Sequence, residues 1–168
     1  LPYIGKTPYQ RALQEALDNE DTEPMDDCYF FGSDIDPKAV ESAKRNAEAA
    51  GVGQLTRFRI CDAAKMSPEY LEKLTSLPRQ LIITNPPYGG RLMTPEEADK
   101  IYRLIGHTYL TRDGFCKKGL RLSVITPENA FEDATGYKPD KRVKLYNGNI
   151  VCTLSNYFKL DDKNNGKH

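Results

Sequence analysis

The stretch TNPPYGG at residues 84–90 places an amide, two prolines and a phenol directly after a short apolar run. Two successive prolines fix φ at about −65° and remove two backbone donors, so this turn is stiff and its carbonyls lack local N–H partners. The side-chain oxygen of Asn85 and the carbonyl oxygen of Pro86 can hold a planar amino group, and the ring of Tyr88 can stack on an extruded base. Together with Pro87, these residues are predicted to form a catalytic site that positions the exocyclic amine of a nucleobase.

Acidic residues follow two other predicted strands, and their carboxylates could bind a nucleoside. The carboxylate of Asp34, after YFFGS, can accept hydrogen bonds from two neighbouring ribose hydroxyls, and Ile35 offers an apolar edge to an adenine. Asp62, in RICDAA, can accept from an adenine amine while the backbone N–H of Ala63 meets a ring nitrogen. Since the carboxyl ends of parallel strands converge on one crevice, these residues and Asn85 are predicted to bind a nucleoside together.

Each of these residues also has a plainer structural explanation. Asp34 could cap the next helix, although Asp36, directly before Pro37, is better placed for that role. Asp62 could be an ordinary turn residue. The Asn-Pro-Pro-Tyr run could be a proline-rich strand exit with Tyr88 in the core. The residues alone leave these alternatives open.

Helical and strand patterns alternate along the chain. Helices are predicted where a capping residue precedes proline at the first helical position, as in the run TPEE at residues 94–97. Strands are predicted by short apolar runs between turn residues, and Asn147-Gly148 is a hairpin signal near the C-terminus. The predicted helices begin near residues 8, 37, 68 and 95, and the predicted strands cover residues 28–33, 55–60, 80–84 and 121–126. This alternation predicts an α/β fold with a parallel sheet and an antiparallel hairpin at its edge.

Composition limits the possible partners. The 168 residues carry 24 basic and 24 acidic side chains, which predicts one domain of zero net charge with no global field that attracts nucleic acid. Contact with RNA would need a local patch or another domain. No apolar run approaches the roughly 18 residues of a membrane span. The 4 cysteines are widely spaced and the 2 histidines cannot form a metal cluster, so reduced thiols, no metal site and a cytoplasmic location are predicted.

Four stretches carry a family resemblance: TNPPYGGRL, FGSDIDPKAVESAKRNAEAAGV, FRICDAAKM and DKRVKLYNGNI. They resemble the catalytic domain of the bacterial 23S ribosomal RNA guanine-N2 methyltransferases over most of residues 1–158. The resemblance implies a Rossmann-like class I methyltransferase fold and methyl transfer from S-adenosylmethionine to the N2 amine of a guanine in large-subunit ribosomal RNA. It also implies that Asp34 holds the ribose, that Asp62 and Ala63 hold the adenine, and that residues 85–88 hold the target base. Family members usually carry an N-terminal RNA-binding THUMP domain, which would supply the missing positive charge.

The chain departs from this family at its N-terminal side. The class begins with a strand and a glycine-rich loop that approaches the methionine part of the cofactor, whereas the only glycine before Gly32 here is Gly5. We therefore expect a partial catalytic domain over residues 1–160, with a sheet that lacks one strand and with weak cofactor binding by this chain alone. Residues 161–168, DDKNNGKH, are expected to be a disordered tail.

Three other functions stay open on the sequence. Asn-Pro-Pro-Tyr also occurs in adenine-N6 and protein glutamine-N5 methyltransferases, although KLYNGNI resembles the RNA family. A non-catalytic RNA-binding module is the third alternative, with a patch of basic residues as its phosphate-contacting surface. Charge runs of this kind are more often solvated faces. The patch comprises Arg112, Lys117, Lys118, Arg121, Lys138, Lys141, Arg142 and Lys144.

Overall fold

The computed structural model describes residues 6–18, 30–75, 77–88 and 93–160. Within these ranges, helices and strands alternate until a hairpin ends the chain, which confirms the predicted α/β class. The elements are α1 Lys6–Asp18, β1 Phe30–Asp34, α2 Pro37–Ala49, β2 Thr56–Ile60, α3 Pro68–Glu72, β3 Gln80–Thr84, α4 Pro95–Tyr109, β4 Leu120–Pro127, α5 Ala130–Thr135, β5 Lys141–Asn147 and β6 Ile150–Tyr157. Short 3₁₀ turns at Gly53–Leu55 and Ala63–Lys65 flank β2.

The strands pair into two sheets within the described residues. β1 and β2 are parallel, with Asp34 opposite Ile60. The second sheet has the order β3–β4–β6–β5, in which β3 and β4 are parallel and β6 is antiparallel to both of its neighbours. The parallel pairs and the antiparallel C-terminal hairpin confirm the predicted architecture. β1 and β3 are not paired with each other, so each is an edge strand of its own sheet.

Capping residues explain where most helices begin. Asp36 caps α2, Ser67 caps α3, and Thr94 forms a capping box with Glu97 at the start of α4, all as predicted. The predicted cap of the first helix is wrong. The sequence placed this cap at Thr7, directly before Pro8, but α1 already begins at Lys6. Helix α3 also ends a few residues sooner than predicted, a discrepancy typical of short helices.

The core of the second sheet lies under α4. Tyr102 and Ile105 on the inner face of α4 are buried in one apolar cluster with Leu122 and Val124 of β4, which are fully buried. Each of these side chains contributes about 1.5–3 kcal/mol through burial. This packing fixes α4 over the sheet, and α4 follows the turn that leaves β3.

Helix α5 was not predicted from the sequence. It has 6 residues, and Asn129 at its start makes no side-chain capping bond. Tertiary packing holds it, since Phe131 is fully buried with its ring centroid 6.2 Å from that of Tyr102 and 5.8 Å from that of Tyr157. The helix therefore depends on contacts that no local pattern reveals.

The C-terminal hairpin forms, but its loop lies one residue later than predicted. Asn147 pairs with Ile150, so the two loop residues are Gly148 and Asn149. Gly148 has φ 61°, whereas Asn149 has no positive φ, which is the pattern of a type II′ turn with glycine in first place. Asn147 is therefore the last residue of β5, and its side chain lies on one face of that strand.

Some of the predicted features lie outside the described residues. These are Cys28 and the beginning of the predicted first strand, the glycines that end TNPPYGG, and the tail at residues 161–168. The extent of the predicted catalytic domain, residues 1–160, stays a prediction.

Candidate active site

The Asn-Pro-Pro-Tyr turn leaves β3 and is held by a contact with α4 and by a hydrogen bond within the turn. Asn85 is exposed, whereas Pro86 is buried. The hydroxyl of Tyr102 on α4 donates to the carbonyl oxygen of Pro87 over 3.3 Å. The hydroxyl of Tyr88 donates to Oδ1 of Asn85 over 2.5 Å. The structure thus brings the four predicted residues together on one short turn held by α4.

Two residues of the C-terminal hairpin also lie near Tyr88, and neither was predicted from the sequence to be part of the site. The side chain of Asn147 lies near enough to lower the pKa of the phenol. The thiol of Cys152 donates to the phenol oxygen over 3.9 Å. Burial raises the pKa of Tyr88 and outweighs the effect of Asn147, so the phenol is neutral near pH 7. Asn147 lies in the motif KLYNGNI, which indicated a hairpin and the family resemblance but no contact with Tyr88, and Cys152 lies outside that motif.

Asp34 lies at the carboxyl end of β1 and is exposed. Its Oδ1 accepts from the backbone N–H of Asp36 over 2.8 Å and so makes a local turn, whereas the helix cap that was the alternative role for Asp34 is Asp36. Its carbonyl accepts from the N–H of Cys61 over 2.9 Å, which brings the ends of β1 and β2 side by side. Because one carboxylate has acceptor capacity for several donors, the turn contact leaves room for a ribose hydroxyl.

Asp62 and Ala63 follow the end of β2, next to Asp34. Both are exposed, and the carbonyl of Asp62 accepts from the N–H of Lys65 over 2.9 Å at the 3₁₀ turn. The segment after this turn is fixed to α4, because the hydroxyl of Tyr109 donates to the carbonyl of Met66 over 2.7 Å. Burial raises the pKa of Tyr109 to about 12, so this phenol is a neutral structural donor.

A cleft of about 540 Å³ lies between the two sheets. Its lining includes Ser33, Ala63 and Thr84, which place the cleft beside the predicted cofactor residues and beside the start of the Asn-Pro-Pro-Tyr turn. The edge strands expose apolar side chains here, with Phe30 64% and Ile83 65% exposed. Among the described residues, Ala63 is the one predicted site residue in the lining, and Ser33 and Thr84 lie next to the other predicted site residues in sequence.

The acceptors at the carboxyl ends of β1 and β2 fit a nucleoside cofactor. Two carboxylates at adjacent strand ends offer acceptors for ribose hydroxyls and an exocyclic amine, and Ile35 beside them is 70% exposed. An apolar side chain flanked by acceptors is the combination that an adenosine requires. Asp34, Ile35, Asp62 and Ala63 are thus suitably placed, and their contact with a cofactor stays a prediction.

The basic patch predicted for RNA is partly engaged in structural contacts. Arg142 forms an ion pair with Glu132. The ammonium of Lys117 donates to the carbonyls of His107 and Thr108 at the end of α4, over 3.0 and 2.8 Å. These two side chains therefore stabilise the fold. This favours ordinary surface charge over an RNA-binding patch as the explanation of the basic runs.

The described residues include three free thiols, and they contain neither a candidate metal cluster nor a helix that could span a membrane. Cys61, Cys116 and Cys152 are free thiols, as predicted, and burial raises the pKa of Cys116 to about 11. Among the described residues, no group of three or more His, Cys, Asp or Glu side chains could hold a metal ion. In the same ranges no helix is both long enough and apolar enough to cross a bilayer.

Comparison with known proteins gives one family and many relatives. Residues 3–156 match the UPF0020 family, described as RMKL-like, methyltransferase domain. Over 129 residues the chain is 36% identical to the ribosomal RNA large subunit methyltransferase K/L of Psychromonas ingrahamii. That alignment covers 76% of this chain but only 16% of the relative, so the chain spans a small part of the length of such proteins.

Solved structures share the fold. One is SMU.472, described as a methyltransferase in complex with SAH, with a TM-score of 0.69 and 25% identity over 95% of this chain and 39% of that one. Another, from Listeria monocytogenes, is described as a predicted N6-adenine-specific DNA methylase and has a TM-score of 0.63 and 31% identity. That match covers 94% of this chain and 37% of the other. The α/β fold with mixed strand pairing described above therefore matches that of class I methyltransferases.

Proposed function

Since the chain belongs to the RMKL-like methyltransferase domain family, we propose that it forms part of the catalytic domain of an S-adenosylmethionine-dependent ribosomal RNA methyltransferase. The proposed target is the exocyclic N2 amine of a guanine in large-subunit RNA. The observation that carries the proposal is the stiff turn from Asn85 to Tyr88, anchored by Tyr102 and by the C-terminal hairpin. The K/L relatives, which are ribosomal RNA methyltransferases by name, support the class of substrate.

The proposed work of this chain is to position the target amine. Oδ1 of Asn85 and the carbonyl oxygen of Pro86 would accept the two amine hydrogens and so orient the nitrogen lone pair toward the methyl donor. The ring of Tyr88 would stack on the extruded guanine. Because Tyr88 is neutral near pH 7, its part is stacking and hydrogen bonding, and the amine proton leaves to water after methylation.

The proposed cofactor site lies at the carboxyl ends of β1 and β2. Asp34 would accept from the ribose hydroxyls, Ile35 would contact the adenine ring, and Asp62 with the N–H of Ala63 would hold the adenine edge. Asn85 would border this site from the other side of the cleft. When bound, S-adenosylmethionine supplies an electrophilic methyl group.

In this proposal, the electrostatic attraction for RNA comes from the rest of the intact enzyme. The chain has zero net charge, and two members of its basic patch are already engaged. We therefore expect a separate RNA-binding domain, of the THUMP type, in the intact enzyme. An enzyme that modifies bacterial ribosomal RNA would work in the cytoplasm.

Nucleoside analysis tests the proposal. The intact enzyme is incubated with unmodified large-subunit RNA, with DNA or with protein in the presence of a methyl-labelled donor, and each substrate is digested and analysed by mass spectrometry. The expected product is N2-methylguanosine, and its rate of formation should fall on the order of 10²- to 10³-fold with Asn85→Ala. Label that appears only in N6-methyladenosine or only in protein would contradict the proposal.

A second candidate acceptor is the N6 amine of adenine. The Listeria monocytogenes relative, described as a predicted N6-adenine-specific DNA methylase, favours it. An Asn-Pro-Pro-Tyr turn can hold either amine by the same two acceptors. The experiment above separates the two, because the labelled nucleosides differ.

A further inference from the structure

One residue near the proposed site has a backbone conformation that its side chain disfavours. Glu128 follows β4 with φ 45°, and among the described residues it is the only one other than glycine with a left-handed φ. Asn129, a residue type that tolerates this conformation better, is next to it and has φ −110°. Such strain persists where the surrounding structure imposes it, and it is concentrated at functional sites.

Contacts on both sides of Glu128 impose this conformation. Its N–H donates to the carbonyl oxygen of Val151 on β6 over 3.2 Å. Further along the chain, the N–H of Phe131 donates to Oγ1 of Thr126 over 3.3 Å, and the Phe131 ring is fully buried. The chain therefore leaves β4 in a fixed geometry, and the core determines where Glu128 lies.

Strand register places Glu128 beside the Asn-Pro-Pro-Tyr turn. β4 pairs with β3, the strand that leads to this turn. On its other side, Pro127 pairs with Cys152, whose thiol donates to the phenol oxygen of Tyr88 over 3.9 Å. Because paired residues lie about 5 Å apart and consecutive residues about 3.8 Å apart, the Cα atoms of Glu128 and Cys152 are within about 10 Å of each other. A base held by this turn would therefore lie beside Glu128.

The carboxylate of Glu128 is available for a ligand. The side chain is exposed, and no hydrogen bond or ion pair joins it to another described residue. In contrast, Glu132 on α5 is paired with Arg142. An ionised carboxylate is only an acceptor, so a suitable partner is a donor that lies beside the target amine.

Guanine has such a donor and adenine does not. On guanine, N1–H lies next to the N2 amine, and both point out from the same edge of the base. On adenine, the atom beside the N6 amine is N1, which is an acceptor and would face the carboxylate with its lone pair. A site that reads an extruded base by this edge can therefore separate the two bases with one acceptor.

We propose that Glu128 is a specificity-determining residue that accepts a hydrogen bond from N1–H of the target guanine while Asn85 and Pro86 hold the N2 amine. This inference rests on the proposed function for the identity of the target. It gives the strained end of β4 a role in choosing guanine over adenine. A hydrogen bond to a charged acceptor selects strongly against a base that lacks the donor.

2-Aminopurine separates this role from a structural one, because it keeps the 2-amine of guanine but has an acceptor at N1. The target guanine, once located by nucleoside analysis, is replaced by 2-aminopurine in a fragment of large-subunit RNA, and kcat/KM of the intact enzyme is measured on both RNAs. Glu128→Ala should lower kcat/KM for the guanine RNA about 10- to 150-fold and leave that for the 2-aminopurine RNA equal or higher. Glu41→Ala, at an exposed position of α2, is the matched control and should change neither value.

The ratio of the two values decides the inference. A loss of stability or a displaced turn would lower both values together and leave the ratio of guanine to 2-aminopurine as in wild type, which would overturn the inference. If Glu128→Ala does not fold, Glu128→Gly replaces it, because glycine adopts a φ of 45° without strain. Wild-type enzyme that methylates no guanine in large-subunit RNA would instead refute the proposed function, on which the inference rests.

Discussion

The phenol of Tyr102 donates a hydrogen bond to the carbonyl oxygen of Pro87 and thereby ties the Asn-Pro-Pro-Tyr turn to the buried face of α4. Tyr102 is only 2% exposed, and its ring packs near Phe131 of α5. The position of the turn is therefore set by the core and not by the local sequence alone. A proposed site that must hold a base within fractions of an ångström benefits from such an anchor.

The first prediction concerns this anchor. Tyr102→Phe removes the hydroxyl and leaves the carbonyl of Pro87 without this donor, so we expect the free energy of unfolding to fall by about 0.5–1.5 kcal/mol. Chemical denaturation measures the change. Tyr9→Phe is the control, because the side chain of Tyr9 is 64% exposed and should change stability little. Equal stability of the two variants would mean that the Tyr102 contact does not support the turn.

The second prediction concerns cofactor binding by Asp34. Asp34→Asn keeps an acceptor for the N–H of Asp36 but removes the charge and one acceptor, so the local turn is preserved. In the intact enzyme the affinity for S-adenosylmethionine should fall by about 1.5–3 kcal/mol, as for hydrogen bonds to a charged group. Calorimetric titration measures it, with Asp113→Asn on an exposed turn as control. Unchanged affinity in Asp34→Asn would remove Asp34 from the cofactor site.

The third prediction concerns α5. Phe131→Ala empties a fully buried position between two aromatic rings and should cost about 3–5 kcal/mol of the free energy of unfolding. Phe158→Ala is the matched control, since that ring is 45% exposed and the backbone N–H that contacts Asp140 is kept. Urea unfolding compares the variants. If Phe131→Ala were no less stable than Phe158→Ala, the packing of α5 described here would be wrong.

The fourth prediction concerns acid stability. Burial alone would raise the pKa of Asp140, but hydrogen bonds from the N–H groups of Phe158 and Lys159 and the ammonium of Lys159 outweigh burial and hold that pKa below its usual value. Because the pKa of Asp140 is lower in the folded protein than in the unfolded chain, its ionised carboxylate stabilises the fold. This stabilisation is fully present above the pKa of an unfolded aspartate, about 3.9, and is lost as the pH falls through the pKa of the folded state.

Asp140→Ala should therefore be less stable than wild type by about 1–3 kcal/mol at pH 7, and this difference should shrink as the pH falls below about 4. Urea unfolding between pH 7 and pH 3 measures it, and Asp113→Ala serves as an exposed control. A difference that stays constant over this range would show that the charge of Asp140 contributes nothing.

Local signals made much of the fold predictable. The caps Asp36, Ser67 and Thr94 precede prolines, and such short-range hydrogen bonds form whatever the distant chain does. Helix α5 lacked a capping bond and is held by aromatic contacts from other elements, so no window of sequence predicted it. The hairpin loop was misplaced by one residue because both Asn-Gly and Gly-Asn are favourable two-residue turns.

Some residues of the candidate site could be predicted from the sequence, and others could not. Residues 85–88 and the strand-end residues Asp34 and Asp62 were predicted because their types are unusual at the end of an apolar run. The partners of Tyr88 could not be predicted, because Cys152 is 64 positions away in the chain and meets it only after β6 pairs with β4. The separation of β1 from β3, in contrast, agrees with the expectation from the sequence that the sheet lacks one strand.

The most direct test of the account is the single-turnover rate of methyl transfer by Asn85→Ala, measured beside its thermal unfolding. Asn149→Ala, an exposed asparagine in the hairpin loop, is the matched control. If Asn85 holds the target amine mainly in the transition state, the rate on large-subunit RNA should fall on the order of 10²- to 10³-fold, while the melting temperature stays that of the control. A rate that equals that of the control, or that falls only in step with stability, would contradict the central claim and make Asn-Pro-Pro-Tyr a structural strand exit.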